Sequence, residues 1–152
     1  MVRVMAVGVF DLLHAGHLHY VEQAKALGDE LVVVVAHDDT VRKQKHEPVT
    51  SQELRCRMVQ GLKPVDTAII GNPPTMPIYE ILETVKPDII ALGYDQKHSL
   101  DTIKKALKEN GWKDVEVIRV EGLADDLDGT RKIIAKILRL WSGETGGPYE
   151  ED

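Results

Sequence analysis

The chain has 152 residues, 43% hydrophobic and 29% charged, which excludes disordered and fibrous classes and allows one domain with a full hydrophobic core. No apolar run approaches the ~20 residues that span a bilayer, no basic stretch followed by an apolar one opens the chain, and a single cysteine, Cys56, excludes a disulfide framework or a cysteine-rich zinc site. Of 25 acidic and 19 basic residues, four acids (Glu144, Glu150, Glu151, Asp152) fall in residues 142–152, so residues 1–141 carry 21 against 19; a near-neutral body excludes a broad nucleic-acid face but allows a local pocket for one small anion. These features predict a cytoplasmic protein with neither membrane nor nucleic-acid partners.

Short β-branched runs alternate with helical segments. Residues 3–7 read as a strand ending at Gly8, followed by a helix over 16–27 with Gly28 as its C-terminal cap. A nearly all-valine strand covers 31–35, and Thr50 with Glu53 has capping-box spacing for a helix to about residue 62. A third strand is read at 66–70, a helix from Pro77 through Val85, and a fourth strand at 88–92 ending at Gly93. A helix over 100–109, a fifth strand over 115–120 and a last helix over 130–141 complete the series. Uninterrupted valine and isoleucine runs mark strands buried on both faces, hence a parallel sheet. The expected fold is a doubly wound, Rossmann-like α/β domain of five strands over residues 1–141, with ligands beyond the C-terminal strand ends and an acidic, Gly-rich tail over 142–152 that frays.

The most informative stretch is Gly8-Val9-Phe10-Asp11-Leu12-Leu13-His14-Ala15-Gly16-His17, at the turn from the first strand into the first helix. A helix N-terminus offers unpaired N–H groups and partial positive charge to a phosphate. His14 and His17, three apart, project to one side, and Gly16 between them leaves room for a ligand or backbone. A lone histidine more often caps or packs; here position, glycine and spacing agree on a polyphosphate. The three-glycine dinucleotide fingerprint and the P-loop are both absent, which removes the common dehydrogenase and kinase readings. Two histidines without a third ligand do not make a zinc site.

The run GVFDLLHAGH resembles the HxGH signature of the nucleotidylyltransferase superfamily, within its cytidylyltransferase-like group, and the similarity extends over residues 3–138. Gly93-Tyr94-Asp95-Gln96 makes the chain most similar to the archaeal FAD synthases. The resemblance implies a nucleotide site formed by Val9, Phe10, His14, Ala15, Gly16 and His17, joined by Asp95, Arg119 and Thr130. It implies His14, His17 and Lys43 or Lys45 as the catalytic groups, with Arg55 as a further family arginine. Asp11 would orient the motif or hold a divalent cation, magnesium. One departure stands out: where relatives carry hydroxyl residues before the last helix, this chain has Asp125, Asp126 and Asp128, leaving Thr130 as the hydroxyl and Arg131 as a substitute donor.

The reaction implied is in-line attack of a phosphate monoester on the α-phosphorus of a nucleoside triphosphate, with release of pyrophosphate and no nucleophilic side chain. FMN adenylyltransferase activity (ATP and FMN to FAD) is the first expectation. A CTP:glycerol-3-phosphate cytidylyltransferase and a catalytically silent nucleotide-binding module are the alternatives. Seven aromatic residues are a low supply for stacking a flavin. A homodimer is expected of an isolated domain of this kind.

Overall fold

In a computed structural model, the protein is described at residues 1–77, 79–94, 100–125, 127 and 129–142. Five parallel strands, β1 (Arg3–Gly8), β2 (Glu30–Val35), β3 (Thr67–Ile70), β4 (Ile89–Leu92) and β5 (Glu116–Arg119), lie in the order β3-β2-β1-β4-β5. Six helices connect or follow them: α1 (Ala15–Lys25), α2 (Asp38–Gln44), α3 (Gln52–Gln60), α4 (Glu80–Val85), α5 (Leu100–Glu109) and α6 (Thr130–Trp141). Among the described residues no helix is long and apolar enough to cross a membrane.

The strands bury both faces, as their apolar runs predict. Val4, Ala6, Leu31, Val33, Val35, Ile89 and Ala91 point to one side, where Val21 and Ala24 of α1 and Val59 of α3 cover them. Met5, Val32, Val34, Ile90 and Leu92 point to the other, beneath Leu82 and Val85 of α4 and Leu107 of α5. Each buried valine, leucine, isoleucine or methionine among them contributes about 1.5–3 kcal/mol by leaving water, and each alanine less.

The order reverses between β1 and β4, the place where doubly wound sheets open a crevice at their C-terminal edge. The ladder between these strands runs from Val4–Ile89 to Ala6–Ala91. Just beyond it the Tyr20 hydroxyl from α1 accepts from the Val7 N–H (3.2 Å) and donates to the Ala91 carbonyl (2.6 Å). Tyr20 satisfies the backbone groups that the separating strands leave behind.

Several boundaries differ from the sequence reading. Residues 38–44, to which the sequence pattern assigns no element, form a helix, α2, opened by His37 whose Nδ1 accepts from the Asp39 N–H (3.1 Å). Ser51, not Thr50, caps α3, its hydroxyl accepting from the Leu54 N–H (3.3 Å). The first helix ends at Lys25 with Ala26 as its cap, ahead of Gly28. The apolar row of α6 is not core: Ile134, Ile137, Leu138 and Trp141 are all exposed. The tail after Ser142 lies outside the described residues.

Candidate active site

After β1 the chain turns sharply through residues 9–14. Gly8 permits that turn: a Cβ there would lie 2.8 Å from the Phe10 ring, which folds back over it. Phe10 and Leu12 both take left-handed backbone, with φ of 58° and 55°. Side-chain-bearing residues rarely adopt this region without a compensating local purpose. The buried Phe10 ring stacks with Tyr20 at 6.3 Å and tilts against the His17 ring at 5.3 Å.

His14 is the N-cap of α1, and its Nδ1 accepts from the Gly16 N–H (3.0 Å). His17, three positions on, returns the favour: its Nδ1 accepts from the His14 N–H (3.3 Å). This is a capping box built from two imidazoles, and it stacks their rings with centroids 3.8 Å apart. The spacing of the pair therefore serves the helix and the site together. Because each Nδ1 accepts, a neutral ring carries its proton on Nε2, as a donor. Burial, reinforced by the neighbouring His14 imidazole and by the Lys45 ammonium, pushes the His17 pKa down to about 4 against the opposing pull of Asp11. His17 thus presents a neutral N–H donor at pH 7.

The Asp11 carboxylate is engaged within the protein. It is buried, and its oxygens accept from the Val49 N–H (2.7 Å), the Thr50 N–H (3.1 Å) and the Thr50 hydroxyl (2.7 Å). Burial alone would raise its pKa, but these hydrogen bonds and the Arg55 charge outweigh it and hold the carboxyl below its usual value. Asp11 ties the histidine loop to the segment before α3. Among the described residues no group of three His, Cys, Asp or Glu is placed to hold a metal ion.

Arg55 is not an exposed helix arginine: it is 1% exposed. Its guanidinium donates to the Val9 carbonyl (2.7 Å), the Thr50 carbonyl (3.0 Å) and Asp38 Oδ1 (2.6 Å), joining the histidine loop, α3 and α2. Asp38, which the sequence reading passed over, is held below the usual carboxylate range: burial opposes this, but hydrogen bonds from Arg55 and the Gln52 contact prevail.

The later elements converge on the same edge. The Thr130 hydroxyl donates to the Asp11 carbonyl (3.2 Å), placing the first turn of α6 against the histidine loop. Arg119, at the end of β5, donates to the Gly93 carbonyl at the end of β4 (2.9 Å). Tyr94 lies flat on Gly122, where a Cβ would approach its ring to 2.5 Å. Lys43 is exposed in the last turn of α2 and Lys45 is its C-terminal cap. Of the two, Lys45 is the one whose charge acts on His17. Arg131 is exposed in the first turn of α6. Asp95, Gln96, Asp126 and Asp128 lie outside the described residues. The sequence reading did not single out Tyr20 or Asp38; a tyrosine four positions after Gly16, on the sheet-facing side of α1, is the signal that pointed to the first.

With this geometry established, the comparisons with known proteins agree. Residues 5–135 match the family model described as Cytidylyltransferase-like. The chain is 52% identical over 139 residues to the FAD synthase of Aciduliprofundum boonei, covering 91% of each protein. It is 49% identical over 142 residues to the FAD synthase of Thermococcus onnurineus, covering 92% of this chain and 93% of that one. A crystal structure from Thermoplasma volcanium, of a protein described as a lipopolysaccharide core biosynthesis protein, superposes with a TM-score of 0.76 at 43% identity, over 81% of this chain and 98% of the other.

Proposed function

This chain belongs to the cytidylyltransferase-like family and is a nucleotidyltransferase, and from that premise we propose how it works: it joins the adenylyl group of ATP to FMN, producing FAD and pyrophosphate. The FAD synthase relatives, similar along nearly the whole chain, support ATP and FMN over CTP and glycerol 3-phosphate. The observation that supports the chemistry is the imidazole capping box, which stacks two histidine rings at the N-terminus of α1, just after β1.

A phosphate oxygen of FMN attacks the α-phosphorus. A new P–O bond forms as the bond to the β-phosphate breaks, and pyrophosphate leaves with that electron pair. The chain supplies position and charge stabilisation rather than a covalent partner. His14 and His17 donate to the α-phosphoryl oxygens and to the departing bridge oxygen. Lys45 clamps the outer phosphates, with Lys43 nearer solvent. The backbone N–H groups at the start of α1 receive oxygens of the nucleotide, with Val9, Phe10, Ala15 and Gly16 shaping the turn around it. Arg119 at the end of β5 and Thr130 at the start of α6 complete the nucleotide site together with Asp95. A divalent cation, magnesium, enters with the triphosphate as part of the substrate. The enzyme works on small molecules in the cytoplasm as a homodimer, a reading supported by the exposed apolar row of α6.

The test crosses ATP and CTP with FMN, glycerol 3-phosphate and phosphopantetheine in the presence of magnesium, scoring pyrophosphate and product. FAD from ATP and FMN is expected; CDP-glycerol from the CTP arm, with no FAD, overturns the assignment. His14→Ala should lower kcat about 10²–10³-fold, the usual cost of a transition-state donor, with an unchanged circular dichroism spectrum. Normal turnover by that variant would remove His14 from the mechanism.

A further inference from the structure

A pocket of about 310 Å³ opens beside the histidine loop, at the small end of the range for small-molecule sites. Phe10, Leu12 and Leu13 form one wall, and Leu54 and Met58 of α3 form the other. Its lining is almost wholly apolar. The polar residues at its floor, Thr50 and Arg55, are committed to Asp11, Asp38 and the Val9 carbonyl. The pocket is built for a group with little hydrogen-bonding demand on its walls.

Three features separate it from an accidental dent. Leu54 and Met58 are 53% and 59% exposed, four residues apart on one face of α3, so two large apolar side chains are held in water beside the site. The two left-handed residues of the loop, Phe10 and Leu12, both line this pocket, so the strained backbone of the turn directs apolar side chains here. The pocket also shares the Phe10 ring with His17, 5.3 Å away, so a molecule seated in it lies next to the phosphate-handling imidazoles.

The reaction demands of the acceptor only a phosphate at the α-phosphorus. An acceptor as small and polar as glycerol phosphate would leave these walls wet, whereas the flat, methylated benzene edge of a flavin would cover them. We infer that this pocket receives the apolar dimethylbenzene edge of the FMN isoalloxazine, with the polar pyrimidine edge outside it, and that Leu54 and Met58 are residues that determine acceptor specificity. The assignment rests on the adenylyl-transfer reading above and adds to it the location of the flavin.

The experiment uses the full-length enzyme and the variants Leu54→Asp and Met58→Asp, with Leu54→Gln and Met58→Gln as milder partners. Both positions are solvent-facing, so thermal melts should stay close to wild type. FMN and ATP are titrated separately in the FAD-forming assay, and binding of lumiflavin, which carries the ring without ribityl phosphate, is followed by quenching of its fluorescence. The variants should raise KM for FMN about tenfold or more, as loss of apolar pocket contacts does, and lose lumiflavin quenching while KM for ATP stays within about twofold. If wild type makes FAD and all four folded variants keep the wild-type KM for FMN, the pocket assignment is overturned and the adenylyl-transfer reading survives. If wild type neither binds FMN nor makes FAD, that reading fails and takes the pocket with it.

Discussion

His17 shows how one burial decision sets both chemistry and stability. An imidazole that titrates near 6.5 in an unfolded chain and near 4 in the folded one binds its proton mostly when unfolded between those values. The neutral ring's contribution to stability is therefore fully present above about pH 6.5 and is lost as pH falls toward 4. We expect the melting temperature of the wild type to drop across that interval and the drop to be shallower in His17→Gln, measured by calorimetry at matched ionic strength; parallel slopes would show that His17 does not carry the effect. Asp11 and Asp38, whose carboxyls are lowered, act in a separate window, losing their contribution only as pH falls below the ordinary carboxyl value. Tyr20 makes a second prediction. Tyr20→Phe keeps the ring against Phe10 but leaves the Val7 N–H and the Ala91 carbonyl without the hydroxyl that bridges them. Chemical denaturation should show a loss of about 1–3 kcal/mol, the cost of stranding buried polar groups.

Helix α2 and the start of α3 form a bracket around the histidine loop, and Arg55 is its fastener. One guanidinium reaches three segments, and its charge is matched by the partly exposed Asp38. Removing it strands the Val9 and Thr50 carbonyls and leaves Asp38 with only the more distant Arg42 charge, so Arg55→Ala should destabilise the fold by about 2–3 kcal/mol, read as a lower denaturation midpoint at constant m-value; a cost under about 1 kcal/mol would place Arg55 among ordinary surface arginines. This bracket is also where the sequence was least legible. The five strands, the sheet-facing residues of α1 and the imidazole pair were readable, because valine runs and a glycine-flanked turn leave periodic or positional marks. Residues 38–44 are nearly all polar, with Val41 as their one buried side chain, so a two-turn helix looked like a charged loop. Thr50 and Ser51 are neighbours of the same chemistry, and nothing local tells that Asp11, far away in sequence, claims the first and leaves the second to cap the helix. Asp11 and Arg55 tie segments together through partners far away in sequence, which no local pattern discloses.

The molecule as a whole has its business at one edge. The reversal of strand order opens a crevice between β1 and β4, and the first turns of α1 and α6 meet there through the Thr130 hydroxyl on the Asp11 carbonyl. The opposite end of α6 has no such employment. Along its length Ile134, Ile137, Leu138 and Trp141 stand at helical spacing, and Leu138 is 62% exposed and Ile137 47%. A contiguous apolar row on a helix that belongs to neither core cluster is costly to leave in water, and the commonest cover for such a row is the same row of a second copy about a two-fold axis. Light scattering at micromolar concentration should then give about twice the 17.0 kDa chain mass. The paired substitution Ile137→Lys with Leu138→Lys should return the monomer mass, because like charges would meet across the axis. A wild-type chain that stays at 17.0 kDa throughout the concentration range would refute the assembly. The consequence for catalysis is also checkable: since α6 begins at the histidine loop, splitting the dimer should loosen the Thr130 contact and raise KM for ATP more than KM for FMN.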